Sequence, residues 1–198
     1  KFLVARRLMY WQVYLHKTSV AAEQLLINIL ERAAELARKG KDLFASPSLR
    51  YFLNNIISYD DFIRSEEPLR HYALLDDSDI LSAIKAWSVS NDKVLRLLCE
   101  AFQNRRLMKV RLLERPLTKE EIGQIVADYT IKYQLTAQEA RYLYSIHSVS
   151  KDTYSPEDDQ IDILFRDGTT KDIAEASDML NLQILTKHIE KHYLFYYQ

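Results

Sequence analysis

The stretch Asn104-Arg105-Arg106-Leu107-Met108-Lys109-Val110-Arg111-Leu112-Leu113 decides the fold. Before it, apolar residues recur at helical spacing. After it, they alternate. Leu107 to Leu113 reads as a strand, and Pro116 ends it. The chain therefore divides at about residue 104 into a helical part and a smaller mixed part.

Working downstream, Thr118-Lys119-Glu120-Glu121 resembles a capping box and opens a helix to about Tyr133. Thr136 to Glu139 adds a helical turn. Tyr142 to Ser148 alternates like a half-buried strand, and 151–159 is a polar loop. Ile161 to Phe165 and Thr170 to Ile173 are strands joined by the hairpin signal Asp167-Gly168. Ser177-Asp178 starts a helix, and Tyr193 to Tyr197 is a closing strand. This order, β-α-β-β-α-β, predicts a ferredoxin-like lobe over 105–198.

Working upstream, residues 2–39 read as one long helix or two abutting ones, with Leu25, Ile29, Ala33 and Leu36 on one face. Arg38-Lys39-Gly40 is the stop. Ser46-Pro47 starts a second helix, and a short one covers Tyr59 to Ile63. Another begins near Glu66-Glu67-Pro68. Asp76-Asp77 caps a helix carrying Ile80, Ile84 and Trp87, and Asn91 caps the last. The expected fold class is α+β: a helical region over 1–104 and an α/β lobe over 105–198.

A chain of 198 residues with 47% apolar and 28% charged residues suits one large or two small globular domains. No apolar run approaches the roughly 20 residues of a membrane span. The net charge of -1 gives no long-range pull on nucleic acid. A single cysteine, Cys99, excludes a disulfide framework and points to a reducing, cytoplasmic compartment. It sits among leucines and reads as a core filler. The opening Lys1-Phe2-Leu3-Val4 enters the helical pattern with no cap, as if cut from something longer.

Complete catalytic machinery is not expected in these residues. Glycine occurs at 40, 123 and 168 only, so no Gly-rich phosphate loop or nucleophile elbow is possible. His188 and His192 have metal-ligand spacing but straddle a helix end and a strand start, so no metal site is assigned. Asp76, Asp77 and Asp79 read as a helix N-terminus. Two basic clusters remain. Arg6, Tyr10 and Tyr14 lie four apart on a helix, either as a wall for a phosphorylated ligand or as an Arg snorkelling above half-buried aromatics. Arg105, Lys109 and Arg111 meet at the junction, either as an anion site or as a solvated charged face.

Three segments carry a family resemblance. Arg6 and Tyr10 followed by Tyr14-Leu15-His16-Lys17, then Leu75-Asp76-Asp77-Ser78-Asp79-Ile80, then Arg105-Arg106-Leu107-Met108-Lys109 resemble the HD-superfamily phosphohydrolases in order and spacing. The branch is that of the deoxynucleoside triphosphate triphosphohydrolases. The likeness covers about residues 1–115, and the remainder is similar to the family's C-terminal lobe.

The resemblance implies a hydrolase that removes intact triphosphate from dNTPs, using a divalent metal held by His, a His-Asp pair and a distant Asp. No His-Asp dipeptide occurs here, so the chain resembles the C-terminal half, with the metal bound upstream and no activity by itself. Arg6, Tyr10 and Tyr14 would bind substrate, although Tyr10 stands where the family has His. His16, Lys17, Arg105 and Lys109 would bind a regulatory nucleotide, dNTP or GTP, in a homo-oligomer. The alternative is a non-catalytic regulatory or oligomerisation module that binds nucleotide. Binding of nucleic acid or a membrane is not expected.

Overall fold

The computed structural model describes residues 5, 8, 9, 12, 13, 16–150, 161–172 and 190–198. Arg6, Tyr10, Tyr14, the helix expected from Ser177, and His188 lie outside them.

The first helix, α1 (Lys17–Arg38), buries Ala21, Leu25, Ile29, Ala33 and Leu36 on one stripe. It does not run unbroken from residue 2. Gln12 and Val13 form a π-type turn, and His16 has extended backbone. The His16 Nδ1 accepts the Thr18 N–H at 3.3 Å, which satisfies one of the free donors of a helix start. The expected stop holds. Gly40 sits at φ +81°, and Lys41 N–H returns to the Leu36 carbonyl at 3.0 Å. A side chain at that left-handed position would be strained.

Helix α2 (Pro47–Asn54) is capped by the Ser46 hydroxyl, with Pro47 in its first turn. Two short helices follow, α3 (Tyr59–Arg64) and α4 (Glu66–Ala73). The acidic cluster is a capping box at α5 (Asp77–Trp87): Asp76 accepts from Ser78 and Asp79 N–H, and Asp79 accepts from the Asp76 N–H. Helix α6 (Lys93–Gln103) corrects an expectation. Its cap is Asp92, not Asn91, with Leu95 N–H donating to Asp92 Oδ1 at 2.8 Å. The carboxylate wins because Arg32 holds it in place.

Helix α1 packs against α2 and α6 around Trp87, Val94, Leu95 and Leu98. The Trp87 indole N–H donates to the Phe44 carbonyl at 2.9 Å, so this buried ring leaves no donor unpaired. Cys99 is fully buried, and burial pushes its thiol up to about 12. Cys99 is therefore expected to resist Ellman's reagent at pH 8 in the native protein and to react stoichiometrically in guanidinium, as a thiol count with and without denaturant would show.

The sheet consists of β1 (Lys109–Leu113), β2 (Tyr144–Ser150) and β5 (Glu190–Tyr196), in the order β1-β5-β2. Both outer strands are antiparallel to β5, so β1 and β2 run parallel around it. The connection from β1 to β2 passes through α7 (Lys119–Tyr133), α8 (Ala137–Ala140) and a 3-10 turn, Arg141–Leu143. The ferredoxin-like lobe expected from the element order would hold its strands in one sheet with the closing strand at an edge; among the described residues β5 instead lies between β1 and β2. The remaining strands, β3 (Asp162–Leu164) and β4 (Thr170–Asp172), pair with each other in a hairpin turning at Gly168, φ +83°. The described strands thus form a three-stranded sheet and a separate hairpin, with the last strand of the chain at the centre. Central placement suits β5 because Leu194 and Phe195, on opposite faces, are both buried.

The hydrophobic core crosses the junction without a gap. Met108, Tyr129, Leu135, Tyr142, Leu143 and Phe195 belong to the same buried cluster as Leu25, Ile29 and Trp87. The Tyr129 hydroxyl donates to the Tyr197 carbonyl at 2.6 Å, tying α7 to the end of β5.

Candidate anion-binding site

Helices α1 and α6 pack side by side, and the charge arrangements at the two ends of their contact are opposite. At one end, near the C-terminus of α1, the Arg32 guanidinium is 4% exposed. It donates to both Asp92 oxygens, at 3.1 and 2.6 Å, and to Glu35 at 2.9 Å, with Glu139 at 3.4 Å. The Tyr142 hydroxyl donates to Glu35 at 2.6 Å, and Lys39 donates at 2.7 Å. Burial alone would push the Glu35 carboxyl up. Hydrogen bonds from Lys39, Tyr142 and Arg32 outweigh it and hold the group at about 2. Burial likewise opposes ionisation of Asp92, and Arg32 with the Leu95 N–H brings it below the usual range. Arg32, Glu35, Asp92 and Glu139 are thus all paired within one network.

At the other end the cations have no acidic partner among the described residues. A cleft of about 590 Å³ opens between the N-terminus of α1 and the segment leading into β1. It is lined by Lys17, Thr18, Ala21, Arg105, Arg106, Leu107, Met108, Lys109, Val110 and Gln198, with no Asp or Glu side chain. Lys17, Arg105, Arg106 and Lys109 are all exposed, and none is in an ion pair among the described residues. The positive end of the α1 dipole adds to the same potential. An anion with several oxygens would meet four cationic groups here, two of them guanidinium forks.

Two local features work against stability at this cleft. Lys17 occupies the first turn of α1, where a carboxylate would suit the dipole, and that turn contains no acid. Arg105 sits at φ +54°, in the left-handed position that closes α6, with Arg106 N–H bonding the Ala101 carbonyl at 2.8 Å. Glycine is the usual residue there, and an L side chain costs about 1 kcal/mol. A fold selected only for stability would change both residues. Arg105→Gly and Lys17→Glu are therefore each expected to raise stability by about 0.3–1 kcal/mol while weakening anion binding. Thermal melts paired with calorimetric titration of inorganic triphosphate would read both effects.

A larger groove of about 780 Å³ lies between α1 and β2. It is lined by Arg38, Lys39 and Arg141 but also by Glu31 and Glu35. Lys39 and Arg141 both face Glu35, at 2.7 and 3.7 Å. Its charge is largely cancelled, so the smaller cleft is the better anion site.

Of the residues expected at a nucleotide site, Lys17, Arg105 and Lys109 meet in the cleft. His16 does not line it. Its exposed ring caps α1, one residue before Lys17. Arg111 is exposed on β1 and is also absent from the lining. Arg106 was legible in the motif but was not singled out. Met108 is 3% exposed, and its sulfur lies 3.8 Å from Asn28 Nδ2, so it anchors the basic segment to α1. Asn28 also donates to the Tyr142 carbonyl at 2.9 Å, which ties that anchor to the lobe. Among the described residues there is no group of three or more His, Cys, Asp or Glu placed to hold a metal ion. No helix among them is long and apolar enough to cross a membrane.

No family model matches the chain. A phosphohydrolase from Bacteroides thetaiotaomicron, known from a crystal structure, is 48% identical and superposes with a TM-score of 0.91, covering 100% of this chain and 49% of that one. The uncharacterized protein YwfO of Bacillus subtilis is 27% identical over 202 residues, which is 98% of this chain and 43% of YwfO. The chain thus spans about half the length of the relatives it matches. Throughout its length it is similar in sequence and in fold to one half of a phosphohydrolase, a likeness that supports a hydrolase-type function.

Proposed function

We propose that these residues are the C-terminal half of an HD-type nucleotide phosphohydrolase of the dNTP triphosphohydrolase branch. The cleft at Lys17, Arg105, Arg106 and Lys109 is its seat for the phosphates of a regulatory nucleotide, dNTP or GTP, with His16 beside it. The observation that carries this reading is the convergence in one cleft of four cations with no ion pair among the described residues, three of them at positions the family motif singles out. The likeness to a phosphohydrolase supports the hydrolase class. Arg6, Tyr10 and Tyr14 form the substrate wall in this reading. The divalent metal belongs to residues upstream of Lys1, and the 198 residues alone do not turn over nucleotide. The chain divides at residue 104 into an HD-type helical region and a smaller α/β lobe, and the full-length protein is a cytoplasmic homo-oligomer.

Calorimetry with dGTP, GTP and dATP tests the cleft. Binding of at least one is expected, and silence with all three removes the ligand claim. Turnover of dNTPs by the full-length protein with Mg, Mn, Fe or Co tests the enzyme class. Inorganic triphosphate is the expected product, and no release from any nucleotide with any of these metals would end that claim. Binding without turnover would favour the regulatory-module reading, for which a cleft whose charged side chains are all cationic is sufficient.

A further inference from the structure

The helical pair α3 and α4 carries four exposed large apolar side chains. Tyr59 and Ile63 lie four apart on α3 and are 80% and 69% exposed. Leu69 and Tyr72 lie three apart on α4 and are 56% and 63% exposed. Each pair shares a helix face. The two helices meet through the edge-to-face contact of Phe62 and Tyr72, at 6.2 Å between ring centres. Helix α3 has no buried residue, and α4 buries only Pro68. Helices of six and eight residues are not stable by themselves, and here they present their apolar side chains to water. Scattered exposed apolar residues are ordinary, but a concentrated apolar surface marks a contact.

We infer that α3 and α4 form the seat on which the other half of the full-length polypeptide packs. This rests on the reading that the 198 residues are part of a longer protein. The length ratio supplies the occupant. A relative 48% identical, with the same fold over this whole chain, carries as much polypeptide again, since this chain covers 49% of it. The α3–α4 face offers that second half an apolar surface on which four large side chains are each more than half exposed. Asp60, Asp61, Glu66 and Glu67 outnumber Arg64 and Arg70 around it, so the complementary face is apolar with a basic rim.

The test is cysteine labelling in the full-length protein, with every cysteine other than buried Cys99 replaced. Tyr59→Cys, Ile63→Cys and Leu69→Cys are compared with Val89→Cys and Ile131→Cys, which stand at exposed positions outside this surface. Several sites keep the test alive if one variant misfolds. At least two of the three α3–α4 sites are expected to label at least about tenfold more slowly than the controls, independently of protein concentration. Labelling at the control rate overturns the inference. So does protection that disappears on dilution, which would assign the surface to a second copy. Nucleotide hydrolysis by the same preparations reports on the functional reading separately. Active protein with fast-labelling cysteines defeats this inference and leaves that reading intact.

Discussion

Arg32→Ala is expected to destabilise the protein by about 3–5 kcal/mol, enough to unfold a marginal domain at 37 °C. The guanidinium is buried and holds Asp92, Glu35 and Glu139 together. Its removal leaves carboxylates clustered with too few cations, and that uncompensated charge costs more than the lost packing. The triple change Arg32→Met, Glu35→Gln and Asp92→Asn removes the charges together and is expected to cost much less than Arg32→Ala alone. Urea unfolding followed by circular dichroism would rank the two. Equal losses would mean that the network acts by shape rather than by charge.

The same network sets an acid limit. Glu35 is lowered from 4.5 to about 2 in the folded state, and Asp92 and Glu139 are lowered too. A carboxyl that is more acidic when folded adds stability above its unfolded pKa and loses it as pH falls through the folded value. Stability should therefore hold above pH about 4.5 and fall between there and about 2. The triple variant should show a shallower fall over that window.

Reversing charge in the cleft is the second large effect. Lys109→Glu and Arg105→Glu are each expected to weaken nucleotide triphosphate binding by about 10- to 100-fold, the equivalent of one or two charge-assisted hydrogen bonds. Both side chains are exposed, so circular dichroism spectra and melting temperatures should barely change. Binding by the unmodified chain should weaken as salt is raised. Unchanged affinity in both variants would remove the cleft as a phosphate seat. An equal charge reversal at Arg38 or Arg141, in the internally neutralised groove, should leave triphosphate binding as it was.

Much of the fold could be read in the sequence because its punctuation is local. Thr118 with Glu121, Thr136 with Glu139, Ser46 before Pro47, and Gly40 after Arg38-Lys39 each act within one helical turn, and each sits where expected. The one misplaced cap, Asn91 for Asp92, shows the limit. The two neighbours are chemically similar, and the choice was made by Arg32, sixty positions away in sequence. Arg32 did leave a trace: a charged residue on the buried stripe of α1, seven positions after Leu25 and three after Ile29. Its three partners come from α1, the α6 cap and α8, so periodicity could flag the position but not name what it meets.

The candidate site divides in the same way. The motif Arg105 to Lys109 and the pair His16-Lys17 are contiguous runs, so their basic character was visible. That Lys17 and Arg105 share a cleft depends on α1 and α6 packing antiparallel, with the ion pair at one end of α6 and the cations at the other.

By itself the sequence determined most of the described helices and strands and most of their caps, because these depend on side-chain period and on hydrogen bonds within a few residues. Tertiary structure alone decided that the last strand lies between the first two, that one basic cluster faces solvent with no ion pair among the described residues while Arg32 is neutralised inside, and that α3 and α4 are left with an apolar face uncovered. Those outcomes are set by which buried surfaces find each other across the chain, and no local pattern encodes them.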